Sequence, residues 1–192
     1  MSTDLANSLY TPAQQRWQRW LTGSTILIAI AMLVVDHPLK TTHAPLGIIS
    51  LQLAGDTQAA KQIVYDWHPR ERLAAAFGLG LDYLFMCSYA TWMFFGCRWA
   101  AVRWLKSQPT RGKLFGWLAW GAVPAAVLDG AENIVLLIFL QSDGRSVLYP
   151  LAFWCAVAKF LVILMLVGIW ISGLFVPRDG AAPKPVVPAK KP

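Results

Sequence analysis

The stretch "AVLDGAENIVLLIFL", Ala126–Leu140, sets Asp129, Glu132 and Asn133 inside a run otherwise apolar enough to cross a membrane. A carboxylate left facing hydrocarbon costs at least about 2.5–3.5 kcal/mol on insertion scales. The three polar residues stand at i, i+3 and i+4, so on a helix they share one face. That face is expected to turn into a helical bundle, and the rest of the chain is read for what meets it there.

The surrounding composition makes the membrane reading general. The chain has 192 residues, 56% of them hydrophobic and 14% charged, with a mean hydropathy of +0.46. Soluble domains carry more charge and fewer apolar residues. About 20 apolar residues span a bilayer as a helix, and four runs meet that length, at about 17–35, 73–97, 114–140 and 147–176. The last three exceed the minimum, so tilt or protruding ends are expected. Pro124 in the third run predicts a kink, and Pro150 falls near the start of the fourth. The expected fold is an all-α, integral membrane, four-helix antiparallel bundle occupying residues 17–176. It is flanked by a segment at 1–16 and a basic, Pro-rich tail at 177–192 of disordered composition. The polar N-terminus is too long for the start of a cleaved signal peptide, so the first run is expected to stay as a span.

The connecting segments set an orientation. Arg98, Arg103, Lys106, Arg111 and Lys113 crowd the stretch between the second and third runs, with no acid among them. Arg16 and Arg19 stand at the start of the first run, and Arg178, Lys184, Lys190 and Lys191 follow the fourth. Positive residues gather on the cytoplasmic side, so both termini and that second connection are expected in the cytoplasm of a bacterial inner membrane. Trp17, Trp20, Trp99, Trp104 and Trp117 flank the same side, as an aromatic belt does. This distribution also accounts for the formal net charge of +7 and pI near 9.6. No nucleic-acid partner is expected, because no basic, aromatic-interleaved soluble surface is available.

The first outer connection is unusually structured for a loop. Within 45–67, Asp56 precedes "TQAAKQIVYDW" as an N-cap should, and Ala60, Ile63, Val64 and Trp67 share one helical face. One or two short helices lying on the outer interface or capping the bundle are expected, with a lid over a ligand entrance as the functional alternative.

The buried charges then converge by depth. At about 1.5 Å per residue, Asp82 in the second run, Asp129 and Glu132 in the third and Lys159 in the fourth all lie roughly 12–17 Å below their outer ends. Lys159 is too central to snorkel to either surface, so it is expected beside a carboxylate. The expected site is a network of Asp82, Asp129, Glu132, Asn133, Lys159 and Tyr89, with Tyr83 and Ser88 as further contributors. Three carboxylates against one ammonium leave a formal charge of −2 if all are ionised. Such a site holds protons or admits a cation. The structural alternative is a network that only fixes helix register.

Other signals are weak. Cys87, Cys97 and Cys155 sit in apolar runs without redox spacing and read as packing residues. His37, His43 and His68 match no metal-ligand pattern, and two of them precede prolines at helix ends, so no metal and no cofactor is expected. The glycines of "FGLGLDYLF" read as small residues for close helix packing, not as a phosphate loop. "LDGAEN" lacks the further aspartates and arginine of acidic metal motifs in membrane transferases. Three functions remain open. One is a bundle in the lipid bilayer that binds a small cationic, amphipathic or lipid-like ligand, or relays protons. The second is an assembly subunit with a membrane protein partner. The third is an intramembrane lipid-modifying enzyme using carboxyl acid/base catalysis.

Overall fold

The computed structural model describes residues 12–176, with side chains described from Arg16 onward. The segment before Pro12 and the basic tail at 177–192 lie outside the described residues. Among the described residues seven α-helices follow one another: α1 Pro12–Asp36, α2 Ile48–Gln52, α3 Thr57–Asp66, α4 Pro69–Ser107, α5 Pro109–Leu118, α6 Ala122–Gln141 and α7 Tyr149–Leu174. Four helical stretches are long and apolar enough to cross a membrane: α1, α4, α5 with α6, and α7. They pack as an antiparallel bundle in which α4 touches α1, α6 and α7, and α6 lies along α7.

Two element ends differ from the hydropathy reading. The second crossing, α4, does not stop where apolarity ends at Cys97 but continues to Ser107. Ala100 and Ala101 are buried there, while the guanidinium of Arg103 lies 4.9 Å from the Trp99 ring centroid and donates to the Val176 carbonyl at 2.8 Å. A long cationic stem can cover apolar surface and still hold its charge at the helix end. The third crossing is interrupted rather than smoothly kinked: a 3-10 turn, Ala119–Gly121, separates α5 from α6. Pro124 explains the position. Its ring has no N–H to give the carbonyl of Trp120, four residues back, and that carbonyl instead accepts from the Ala122 N–H.

Close approach between α4 and α7 rests on small residues, though not on the pair expected. A Cβ at Gly173 would stand 2.6 Å from the Ala100 Cβ, so the end of α7 passes α4 almost backbone to backbone. Of the glycines in "FGLGLDYLF", Gly78 contacts Val35 of α1, whereas a Cβ at Gly80 would meet nothing.

The segment between α1 and α4 forms a cap folded into one end of the bundle. Asp56 accepts from Gln58 N at 2.8 Å and Ala59 N at 2.9 Å, opening α3 as its sequence requires. Ala60, Ile63, Val64 and Trp67 are all buried, packed with Leu136, Phe139 and Tyr149. The polar ends of these aromatic residues are satisfied as buried ones must be. Trp67 Nε1 donates to the Leu39 carbonyl at 2.9 Å, and the Tyr149 hydroxyl donates to the Leu51 carbonyl at 2.7 Å. Arg72 Nε donates to the carbonyls of Val64 and Trp67 at the end of α3, and its guanidinium pairs with Asp143 of the α6–α7 turn. The cap is therefore held to three neighbouring segments.

Gly47 makes the entry into α2 possible. Its φ of +60° and ψ of −129° suit glycine alone. A Cβ there would also lie 2.1 Å from Asp36 Oδ2, while Asp36 Oδ1 accepts from Ile48 N at 2.7 Å.

Candidate functional site

Two apolar cores occupy the bundle, one under the cap and one built around Met93, Cys97, Ala122 and Leu166. Between them along α4, α6 and α7 lies a polar layer: Asp82, Asp129, Glu132, Asn133 and Lys159 are all buried. The i, i+3, i+4 spacing on α6 does what it must in lipid, turning all three polar side chains inward.

Lys159 organises the layer. Its Nζ stands 2.5 Å from Asp129 Oδ1 and 2.7 Å from Glu132 Oε2, so α7 is joined to α6 at two successive turns. The contact to Asp129 is a hydrogen bond; that to Glu132 is an ion pair outside hydrogen-bonding angles. The other oxygen of Asp129 accepts from the Tyr89 hydroxyl of α4 at 2.8 Å. Asn133 Nδ2 donates to Asp82 Oδ2 at 2.6 Å, a second α4–α6 link. Glu132 Oε1 and Asn133 Oδ1 are buried with no hydrogen-bond partner among the described residues. Removing either member of a buried ion pair strands the other, so the layer is cooperative.

The six site residues expected from sequence are thus brought together. The two further contributors are not. The Tyr83 ring is exposed and its hydroxyl donates to the Gly130 carbonyl at 3.1 Å. Ser88 turns to α1, its Oγ lying 2.7 Å from Thr25 Oγ1. With Trp92 Nε1 donating to Thr22 Oγ1 at 2.9 Å, this forms a small polar clasp between α1 and α4 that sequence reasoning missed. The pattern was visible only as two threonines three apart in an apolar run.

A cavity of about 370 Å³ lies against this layer. Asp82, Asp129 and Lys159 form part of its inner wall, and α1, α4, α7 and the cap supply the remainder, chiefly apolar residues such as Met32, Leu39, Leu79 and Met93. Leu33 of α1, two-thirds exposed, also lines it, as do Phe160 and Ile163 of α7. Ligand sites are typically concave and mainly apolar, with a few convergent polar groups, and the cavity has that composition. None of the apolar lining residues carries a sequence signal, because spans in lipid are apolar whether or not they border a cavity.

The histidines are accounted for in the cap. His37 opens the 3-10 turn His37–Leu39, and His68 is the N-cap of α4 before Pro69. His43 Nδ1 lies 2.5 Å from Asp66 Oδ2, and this hydrogen bond holds the Asp66 carboxyl below its ordinary value. Among the described residues no group of three His, Cys, Asp or Glu side chains is disposed to hold a metal. Cys97 and Cys155 are buried and Cys87 is exposed, all as free thiols.

The chain matches no protein-family model, no curated protein and no solved structure, so its function is read from its own residues.

Proposed function

We propose that this protein is a bacterial inner-membrane protein that binds a cationic amphipathic ligand in the cavity beside Asp82, Asp129 and Lys159. The observation that carries the reading is the union of an apolar chamber and an acid-rich wall. Lys159 is engaged by Asp129 and Glu132, while Asp82 accepts from the Asn133 amide, so the polar layer carries more acids than bases, with Asp82 on the cavity side. A cation there gains Coulomb energy that lipid does not offer, and its apolar portion remains in apolar surroundings. Positive charge on Arg98, Arg103, Lys106, Arg111 and Lys113 favours cytoplasmic placement of the α4–α5 corner.

The test uses the purified full-length chain in nanodiscs. Radiolabelled dodecylamine and dodecyl sulfate share a chain and differ in headgroup charge. Saturable binding of the amine, above partition into empty nanodiscs, is expected, with none for the sulfate. Equal uptake of both would reject the reading. Asp82→Asn should weaken amine binding about tenfold, the scale of one lost charge-assisted hydrogen bond.

A second reading, proton relay, draws on one feature. Tyr89, Asp129, Lys159 and Glu132 form an unbroken series of polar contacts across three helices. Liposomes containing the protein and an internal pH dye would show proton flux under an imposed potential, abolished by Glu132→Gln. A silent dye excludes it.

A further inference from the structure

The polar layer has more acceptor capacity than donors, and Asp82 and Asp129 present part of it to the cavity. Its protein donors are the Lys159 ammonium, the Asn133 amide and the Tyr89 hydroxyl. Lys159 faces Asp129 and Glu132, Tyr89 donates to Asp129, and Asn133 donates to Asp82. Against them stand three carboxyl groups and the Asn133 carbonyl, each oxygen able to accept about two hydrogen bonds. Glu132 Oε1 and Asn133 Oδ1 remain without a hydrogen-bond partner among the described residues, and both side chains are almost wholly buried. Asp82, bonded through Oδ2 to Asn133, borders the cavity.

The cavity also has aromatic walls, and open aromatic faces attract quaternary ammonium groups, which have no N–H. Here each ring already packs against a neighbour. Phe85 packs on Tyr89 with ring centroids 5.3 Å apart, and Trp92 packs on Trp170 at 5.1 Å. The Phe160 face carries the Lys159 Nζ at 4.9 Å from its centroid. What the wall offers a cationic head is the Asp82 carboxylate, not an open aromatic cage.

Resting on the ligand-binding reading above, we infer that the cavity prefers an amphiphile whose cationic head carries N–H donors, a primary amine or a guanidinium, over a quaternary ammonium with the same chain. The head donates to Asp82 at the inner wall, and the aliphatic portion lies among Met32, Leu33, Leu79 and Met93. A fully methylated head presents no donor and holds its charge farther from the carboxylate.

The experiment compares dodecylamine, its N-methyl and N,N-dimethyl derivatives and dodecyltrimethylammonium. Each binds the unmodified full-length chain in nanodiscs, with partition into empty nanodiscs subtracted. Affinity should fall as N–H groups are lost, with the trimethyl compound about tenfold or more weaker than the primary amine. Equal or tighter binding of the trimethyl compound overturns this inference and leaves a cation site standing. Failure of every amine to saturate overturns the ligand-binding reading as well. Because all probes meet the same folded chain, no result depends on a variant folding.

Discussion

Helices α1 and α6 are both apolar enough to span a membrane, yet they occupy opposite environments. The most apolar stretch of α1 has no buried residue, whereas in the crossing that contains α6 the corresponding share is 44%. Mid-span, α1 carries no ionisable side chain, and α6 carries Asp129 and Glu132. Between these two, burial follows the ionisable side chains and not mean hydropathy. Lipid is as good a solvent for Leu27 or Ile30 as a protein core is, so nothing drives α1 inward. A carboxylate has no such freedom and draws its helix to the centre. What attaches α1 is the Thr22–Trp92 and Thr25–Ser88 clasp and van der Waals contact with α4.

The strongest way to break this contrast is Lys159→Ala. It strands Asp129 and Glu132 in the interior and should destabilise the bundle by about 3–5 kcal/mol, read by thermal unfolding in detergent micelles. The triple variant Lys159→Met, Asp129→Leu, Glu132→Leu should recover most of that loss. If the single variant unfolds like the parent chain, the ion pairs do not hold α6 and α7 together. Next in size, Gly47→Ala forces a Cβ onto Asp36 and a backbone conformation unsuited to alanine, at about 1–3 kcal/mol. The loss should stay local, appearing as faster hydrogen exchange across 48–66 with α6 and α7 unchanged.

Acid provides a smaller, reversible probe of the cap. Because its bond to His43 lowers the Asp66 pKa on folding, that bond contributes stability above the ordinary carboxyl range, and the contribution disappears as pH falls through the lowered value. Pepsin should therefore nick the cap faster at about pH 2 than at about pH 4 relative to a chain carrying His43→Ala, whose cap gains nothing from the pair. Smallest of all, Leu27→Ala on the outward face of α1 should change stability by less than about 0.5 kcal/mol. A loss of several kcal/mol would mean that a partner covers α1 in the membrane.

The four crossings and the co-level charges were legible because both depend on local quantities: run length, helical period and distance from a span end. The Asp56 cap and the buried face of α3 were legible for the same reason. The continuation of α4 beyond Cys97 was not, because hydropathy stops at Arg98 while backbone hydrogen bonding does not. Nor were the partners within the layer, since depth alone lets Lys159 meet any of three acids.

By itself the sequence determined that the chain must form an all-helical membrane bundle and that α6 must bury one face. Both follow from the cost of placing unpaired backbone and charge in hydrocarbon, which any arrangement must avoid. Only the tertiary structure decided that Lys159 joins Asp129 and Glu132 while Asp82 is left to Asn133 at a cavity wall. That choice depends on the rotation and separation of α4, α6 and α7. Those are set by packing such as that of Gly173 on Ala100, among apolar side chains that look alike in sequence.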